Sequence, residues 1–215
     1  MTRILPIAFI LIVLLFGCKN TSSEKPDISS REDKEVGVSR PTISFTFDDG
    51  ITSDIAGIKF EEWNSMILSH LENENLKAVF FVTGKNKLNK KGQNLLNSWN
   101  DKGHNIANHT FTHPNFNSQK NNVQLFKNEL IQTDSIISKL SNWVKLFRFP
   151  YLKEGASKAK VDSIRNVLID NNYKNGYVTI DASDWYINQR LINRINAVGI
   201  ENTKIDKFKK FYIQH

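Results

Sequence analysis

A chain of 215 residues, 40% of them hydrophobic, can bury one substantial core and is too short for two ordinary enzymatic domains. The formal net charge of +7 suits an anionic partner, but the lysines are scattered and no nucleic-acid module appears, so no nucleic acid is expected as partner. A single cysteine, Cys18, rules out an intramolecular disulfide and a four-thiolate metal site, and nothing in the composition points to a protein partner.

Met1 to Phe16 carries Arg3 and then an apolar run from Ile4 onward, too short to span a bilayer with a following stop signal, so it reads as a secretory signal. The run ends Leu15-Phe16-Gly17-Cys18, which resembles the lipobox of bacterial lipoproteins, although Phe16 is bulkier than the residue usual there. The expectation is a lipoprotein signal over residues 1–18 with Cys18 lipidated. The protein is then exported and anchored by acyl chains to a bacterial membrane, facing the periplasm or the cell surface. Residues 19–40 are Ser, Glu, Lys, Asp and Pro with almost no large apolar side chain, a composition that cannot repay its ordering entropy and reads as a flexible tether.

From residue 41 onward, short apolar runs alternate with segments of helical period, which implies an α/β domain of parallel strands joined by helices over residues 41–215. Strands are expected at Thr42 to Phe47, Ala78 to Val82, Asn105 to Ala107, Leu146 to Phe149 and Lys174 to Thr179. Helical stripes run through Phe60, Trp63, Ile67 and Leu71, through Val123, Phe126, Leu130 and Ile137, and through Val161, Ile164 and Leu168. Such a pattern closes as a barrel or opens as a doubly wound sheet, and either way sites form on loops at the C-terminal ends of strands.

Chemistry-bearing residues fall at those ends. Thr46-Phe47-Asp48-Asp49-Gly50 places two adjacent carboxylates where a strand yields to a loop; in extended chain they point apart and can take different partners, a metal and a proton, though Asp-Asp-Gly is also good turn chemistry. His109-Thr110-Phe111-Thr112-His113 offers two imidazoles spaced to close on one cation from a single helical turn, and a carboxylate with two histidines is a facial ligand set that leaves positions open. His70 and His104 read as surface or satisfied-core histidines. Arg148-Phe149-Pro150-Tyr151 puts a bidentate donor at a strand end, and Asp181-Ala182-Ser183-Asp184-Trp185 adds a carboxylate for that arginine and an indole on which a sugar ring can pack.

The ordered set TFDDG, HTFTH, RFPY and DASDW, spanning about Pro41 to Trp185, resembles the successive motifs of polysaccharide deacetylases with a NodB homology domain, carbohydrate esterase family four. That resemblance implies a distorted (β/α) barrel and metal-dependent hydrolysis of N-acetyl groups from an acetylated amino-sugar polymer of the cell envelope. It implies Asp48 as catalytic base, Asp49, His109 and His113 as metal ligands, Arg148 orienting Asp48, and Asp181 holding Arg148. Tyr151 falls at the position whose backbone N–H assists the oxyanion, and Trp185 at the wall of the substrate groove. Zn²⁺ is the metal implied, while Co²⁺, Mn²⁺ and Fe²⁺ also suit the donors. Leu152 departs from the glycine the family often carries after the tyrosine.

The family's late strand with a Leu-x-x-His pattern, whose histidine serves as general acid, has no clear counterpart. Ile187, Leu191, Ile195 and Val198, then Ile205, Phe208 and Tyr212, read as helix, and His215 as an ordinary residue at its end. The domain is therefore expected to be incomplete at its C-terminal end, which sets a working deacetylase against a truncated, non-catalytic lipoprotein that keeps metal and glycan binding.

Overall fold

The computed structural model describes residues 42–214. The expected signal, Cys18, the tether and His215 lie outside the described residues. Five strands, β1 (Phe45–Asp49), β2 (Ala78–Val82), β3 (Asn105–Asn108), β4 (Trp143–Phe147) and β5 (Lys174–Asn175), form one parallel sheet in the order of the chain. Helices α1 (Phe60–Asn73), α2 (Lys90–Asp101), α3 (Val123–Ile137) and α4 (Lys158–Asp170) carry the chain from strand to strand, and α5 (Asp184–Val198) and α6 (Ile205–Gln214) follow. A sheet whose neighbours are always consecutive winds in one sense, as a barrel does, instead of reversing at a switch point as a doubly wound sheet does.

β2, Ala-Val-Phe-Phe-Val, is where expected, and its continuous apolar run fits a strand covered on both faces; Val82, Phe81 and Phe80 are all buried. β1 starts later than expected and runs through both carboxylates, with Asp48 opposite Phe81 and Asp49 opposite Val82. Both the strand and the turn reading of Asp48-Asp49 have a place: the ladder holds both residues in register, and Gly50 N–H donates to Asp48 O (2.9 Å) around Asp49. β5 is shorter than expected. Gly176 N–H still donates to Phe147 O (2.7 Å), but Gly176 O accepts from the Arg148 side chain (2.9 Å), so the chain leaves the ladder there.

α2 escaped the sequence reading because it carries Asn94, Asn97, Asn100 and Gly92, and a stripe of only Leu95, Leu96 and Trp99. Tertiary packing makes it a helix. Asn89 caps it by accepting from Gly92 N–H, and Trp99 sits against Phe80 at 4.3 Å between ring centroids while donating to Asn64 Oδ1 (2.9 Å). The expected stripes on α1, α3 and α4 all face the core, and the helical reading of the last 30 or so residues holds through α5 and α6. His70 is exposed on α1, while buried His104 accepts from Ala78 N–H (3.2 Å), as a core histidine should.

Two apolar clusters flank the sheet. One gathers α1, α2 and β2 around Trp99; the other packs Phe126 of α3 against Phe147 (5.1 Å) and Phe149 (5.6 Å) beside Ile164 and Leu168 of α4. Phe126 is fully buried, so Phe126→Ala is expected to lower unfolding free energy by about 3–5 kcal/mol. By contrast, Ile213→Ala at an exposed position is expected to change it by less than about 0.5 kcal/mol, both measured by urea unfolding.

Candidate active site

The C-terminal ends of β1, β3 and β4 bring Asp48, Asp49, His109, His113 and Arg148 together. Asp48 and Asp49 both come within 4 Å of His109 Nε2, but their other partners differ. Asp48 Oδ1 accepts from Arg148 Nη1 (2.6 Å), while its Oδ2 lies 3.9 Å from His109 Nε2. Partial burial raises the Asp48 carboxyl above its ordinary range, and the Arg148 charge opposes that rise. Arg148 itself is buried, with Nη1 also donating to Thr46 Oγ1 (2.8 Å), Nε donating to Gly176 O (2.9 Å), and the guanidinium lying 4.0 Å from the centre of the Phe81 ring.

Asp49 has the opposite surroundings. Its Oδ1 is buried with no hydrogen-bond partner, 3.5 Å from His109 Nε2 and 3.3 Å from His113 Nε2. His109 Nδ1 faces the Arg148 carbonyl oxygen at 2.8 Å; an oxygen there can only accept, so Nδ1 carries the hydrogen. Burial pushes the His109 imidazole down to about 4, so it is neutral near pH 7 and turns a lone pair at Nε2 toward Asp49. Ligand atoms of Asp49, His109 and His113 lie within 4.8 Å of one another. Acceptors that face one another and share no hydrogen fit a divalent cation: two imidazoles and a carboxylate are its donor set.

The two histidines do not share a helical turn, contrary to the sequence expectation. They lie on an irregular loop after β3 in which Thr110 (φ 71°) and His113 (φ 61°) are left-handed. Buried Glu129 of α3 shapes that loop, its carboxylate accepting from Phe111 N–H (2.7 Å), Thr112 N–H (2.6 Å) and Thr112 Oγ1 (2.7 Å). Three donors drawn onto one carboxylate replace the bonds a helix would have supplied. Asn108 Oδ1 and Thr110 Oγ1 complete the turn by accepting from Thr110 N–H and His113 N–H.

Asp181 does not hold Arg148. Its Oδ1 accepts from Ser183 N–H (2.9 Å) ahead of α5, and the place on Nε is taken by Gly176 O. Gly176 is required there, since a Cβ would stand 2.5 Å from Phe81 Cζ. The carboxylate whose charge reaches Asp48 is Asp184, on the first turn of α5. Trp185 is 68% exposed against Tyr186 and lines no part of the apolar cavity of about 630 Å³ beside Asp48, whose walls include Phe47, Trp63, Trp99, Asp184, Ile187 and Leu191. The Tyr151 ring lies 4.6 Å from that of His113. Tyr151 is left-handed (φ 56°), and the hydrogen bonds of its turn come from Leu152 N–H and Lys153 N–H, not from its own. Leu152 keeps a left-handed φ of 57°, the conformation for which glycine is the usual choice.

The sequence reading missed Glu129, Lys87, Thr46 and Gly176. Glu129 had a signal, a charge on the apolar stripe of α3 beside Phe126, Leu130 and Thr133. Lys87 had none: it lies in a run of polar residues yet is fully buried, and burial brings its amine down to about 7.

The strand ends of the parallel α/β sheet thus present the donor set of a divalent cation, Asp49, His109 and His113, beside a second carboxylate held by Arg148. The polysaccharide deacetylase family model matches residues 35–174, and the chain belongs to that family. It is 31% identical over 144 residues to a peptidoglycan-N-acetylglucosamine deacetylase of Bacillus cereus, covering 66% of this chain and 46% of the relative. A bifunctional xylanase/deacetylase of Pseudobutyrivibrio xylanivorans is 26% identical over 199 residues, 91% of this chain and 28% of that one. Among solved structures, a polysaccharide deacetylase from Bacillus cereus superimposes with a TM-score of 0.55 at 26% identity, covering 80% of this chain and 69% of that one. The chain thus spans about half the length of the first of these relatives, 46%.

The arrangement yields two expectations. Glu129→Ala strips the acceptor from three donors in a part-buried loop and is expected to cost about 1–3 kcal/mol in urea unfolding. His104 and His109 are both depressed by burial, so the unfolded chain binds protons that the folded chain refuses. In metal-free protein these two imidazoles should therefore cost no stability above their ordinary value of 6.5 and lower it as pH falls below that value. The urea midpoint measured against pH checks this, and the slope should shrink in His109→Asn.

Proposed function

We propose that this protein is a metal-dependent polysaccharide deacetylase that removes N-acetyl groups from an acetylated amino-sugar polymer of the cell envelope. The observation that carries the reading is the buried, partnerless Asp49 Oδ1 facing two imidazole nitrogens, next to a second carboxylate held apart on Arg148. Asp49, His109 and His113 would hold the cation, with Zn²⁺ first and Co²⁺, Mn²⁺ or Fe²⁺ suiting the same donors. When bound, the cation supplies Lewis acidity at the acetamide carbonyl and acidity to water.

The remaining steps belong to the chain. Asp48 Oδ2, left free by the Arg148 contact at Oδ1, accepts the proton of the attacking water, and its raised pKa makes it the better base. Arg148 fixes the direction of that carboxylate. The Tyr151 N–H donates to the carbonyl oxygen as negative charge develops there, and as the C–N bond breaks the proton taken up by Asp48 passes to the leaving nitrogen, giving acetate and a free amine. The names of the Bacillus cereus relatives favour an amino sugar, and that of the Pseudobutyrivibrio relative keeps O-acetylated xylan as the second substrate class to be tested. We also place the protein outside the cytoplasm, lipidated at Cys18 and held off the membrane by residues 19–40. No helix among the described residues is long and apolar enough to cross a membrane, so in this reading anchoring rests on the acyl chains.

Purified protein supplied with Zn²⁺ should release acetate from an N-acetylated chito-oligosaccharide. Asp48→Asn should lower kcat about 10²- to 10⁴-fold with zinc affinity kept, and His113→Ala should lose the zinc. Zinc uptake with no acetate release from any acetylated glycan would instead support a glycan-binding lipoprotein without catalysis.

A further inference from the structure

Lys87 lies outside every motif that the sequence brought forward, yet it is fully buried directly beneath the Asp49-Gly50 turn. Its Nζ donates to Gly50 O (2.5 Å), Asn86 Oδ1 (2.6 Å), Asp49 O (3.0 Å) and Thr83 O (3.2 Å). An ammonium has three hydrogens, so four oxygens around it form a cage of the kind that holds a small cation, occupied here by the protein's own side chain. Asp49 needs such a hold because it is a non-glycine residue at φ 68°, followed by Gly50 at the same value. Its carbonyl accepts from Thr83 N–H (3.1 Å), Thr83 Oγ1 (3.0 Å) and Lys87 Nζ, three donors that fix the peptide plane after Asp49.

Lys87 is itself held in place. Gly92 of α2 packs so closely that a Cβ there would stand 2.1 Å from Asn86 O and 2.5 Å from Lys87 Cα, so the segment carrying Lys87 is pressed onto the helix behind it. On the other side, a Cβ at Gly50 would stand 2.6 Å from Phe80 Cζ and 3.0 Å from Lys87 Nζ, so the turn has no slack to move into.

We infer that Lys87 is a positioning residue for the metal site: its ammonium, caged under the turn, holds Asp49 in the left-handed conformation that aims Oδ1 between His109 and His113. The inference rests on the metal-binding reading of Asp49, His109 and His113. Removing Lys87 leaves the carbonyls of Asp49, Gly50 and Thr83 without this donor, the turn relaxes, and the ligand oxygen leaves the imidazoles.

The test is zinc affinity of the purified protein, read by competition with a chromophoric chelator and independent of catalysis. Lys87→Met, of similar length and without the charge, should weaken zinc binding at least about tenfold. Ser157→Ala removes the cap of α4 and lowers the unfolding midpoint without touching the turn or α2, so it should keep wild-type zinc affinity. Should the methionine variant not fold, Lys87→Ala refolded in methylammonium restores a caged cation. Its zinc affinity should rise with methylammonium up to about 0.1 M and not respond to tetramethylammonium, which has no hydrogen to donate. Zinc binding by Lys87→Met within twofold of wild type, or an alanine variant indifferent to methylammonium, overturns the inference alone. A wild-type chain that takes up no zinc overturns the metal reading and the inference with it.

Discussion

The Arg148–Asp48 ion pair is the constraint on which the site depends. A buried guanidinium is tolerable only when its charge and its donors are met, and Arg148 meets them with Asp48 and Thr46 of β1, the Gly176 carbonyl beyond β5 and the face of Phe81 on β2. One side chain thereby ties together strand ends that the backbone ladder keeps well apart in the sheet. The backbone of the same residue does a second task. Its carbonyl accepts from His109 Nδ1 and so selects the tautomer whose other nitrogen faces Asp49. The proposed base and a proposed metal ligand are thus set by opposite sides of one residue, and a shift in β4 would disturb both.

The histidine loop shows a second way of fixing a site. Two histidines four residues apart suggest a helix, and a helix would have presented them on one face through its own hydrogen bonds. Here the backbone takes left-handed turns at Thr110 and His113, and the donors freed by the missing helix converge on Glu129. The loop has therefore exchanged regular local bonding for one long-range anchor on α3. That anchor is buried among Phe126, Leu130 and Thr133, so the position of the imidazoles depends on how α3 packs against the sheet.

What the sequence revealed and what it hid follow one physical division. Residues whose roles depend on type and spacing along the chain were legible: the strand leading into Asp48 and Asp49, the buried run of β2, the histidines and the arginine. Residues whose roles depend on what the fold brings beside them were not. Asp181 looked as suitable for Arg148 as any carboxylate, but the Gly176 carbonyl is nearer in space and occupies Nε. Lys87 stands in a polar stretch that suggests solvent, but the fold brings four oxygens around its amine and α2 close behind it at Gly92. α2 itself lacks the propensity that would have declared it and is a helix because Trp99 has a ring to pack on.

Adjacent aspartates would seem interchangeable, and the geometry explains why they are not. Their carboxylates are neighbours, with Asp48 Oδ2 at 3.9 Å and Asp49 Oδ1 at 3.5 Å from the same His109 Nε2, so strand alternation does not by itself keep them apart. The difference comes with the left-handed step at Asp49, where Oδ1 has no hydrogen-bond partner and faces the imidazoles. Asp48 keeps a regular strand conformation and its contact with the arginine. The two carboxylates then sit in different electrostatic surroundings within one peptide unit: one is met by a fixed charge and pushed upward by burial, the other keeps an oxygen with no hydrogen-bond partner. A site that needs one carboxylate to move a proton and another to stay bound requires that difference, and here it arises from a single φ angle at residue 49.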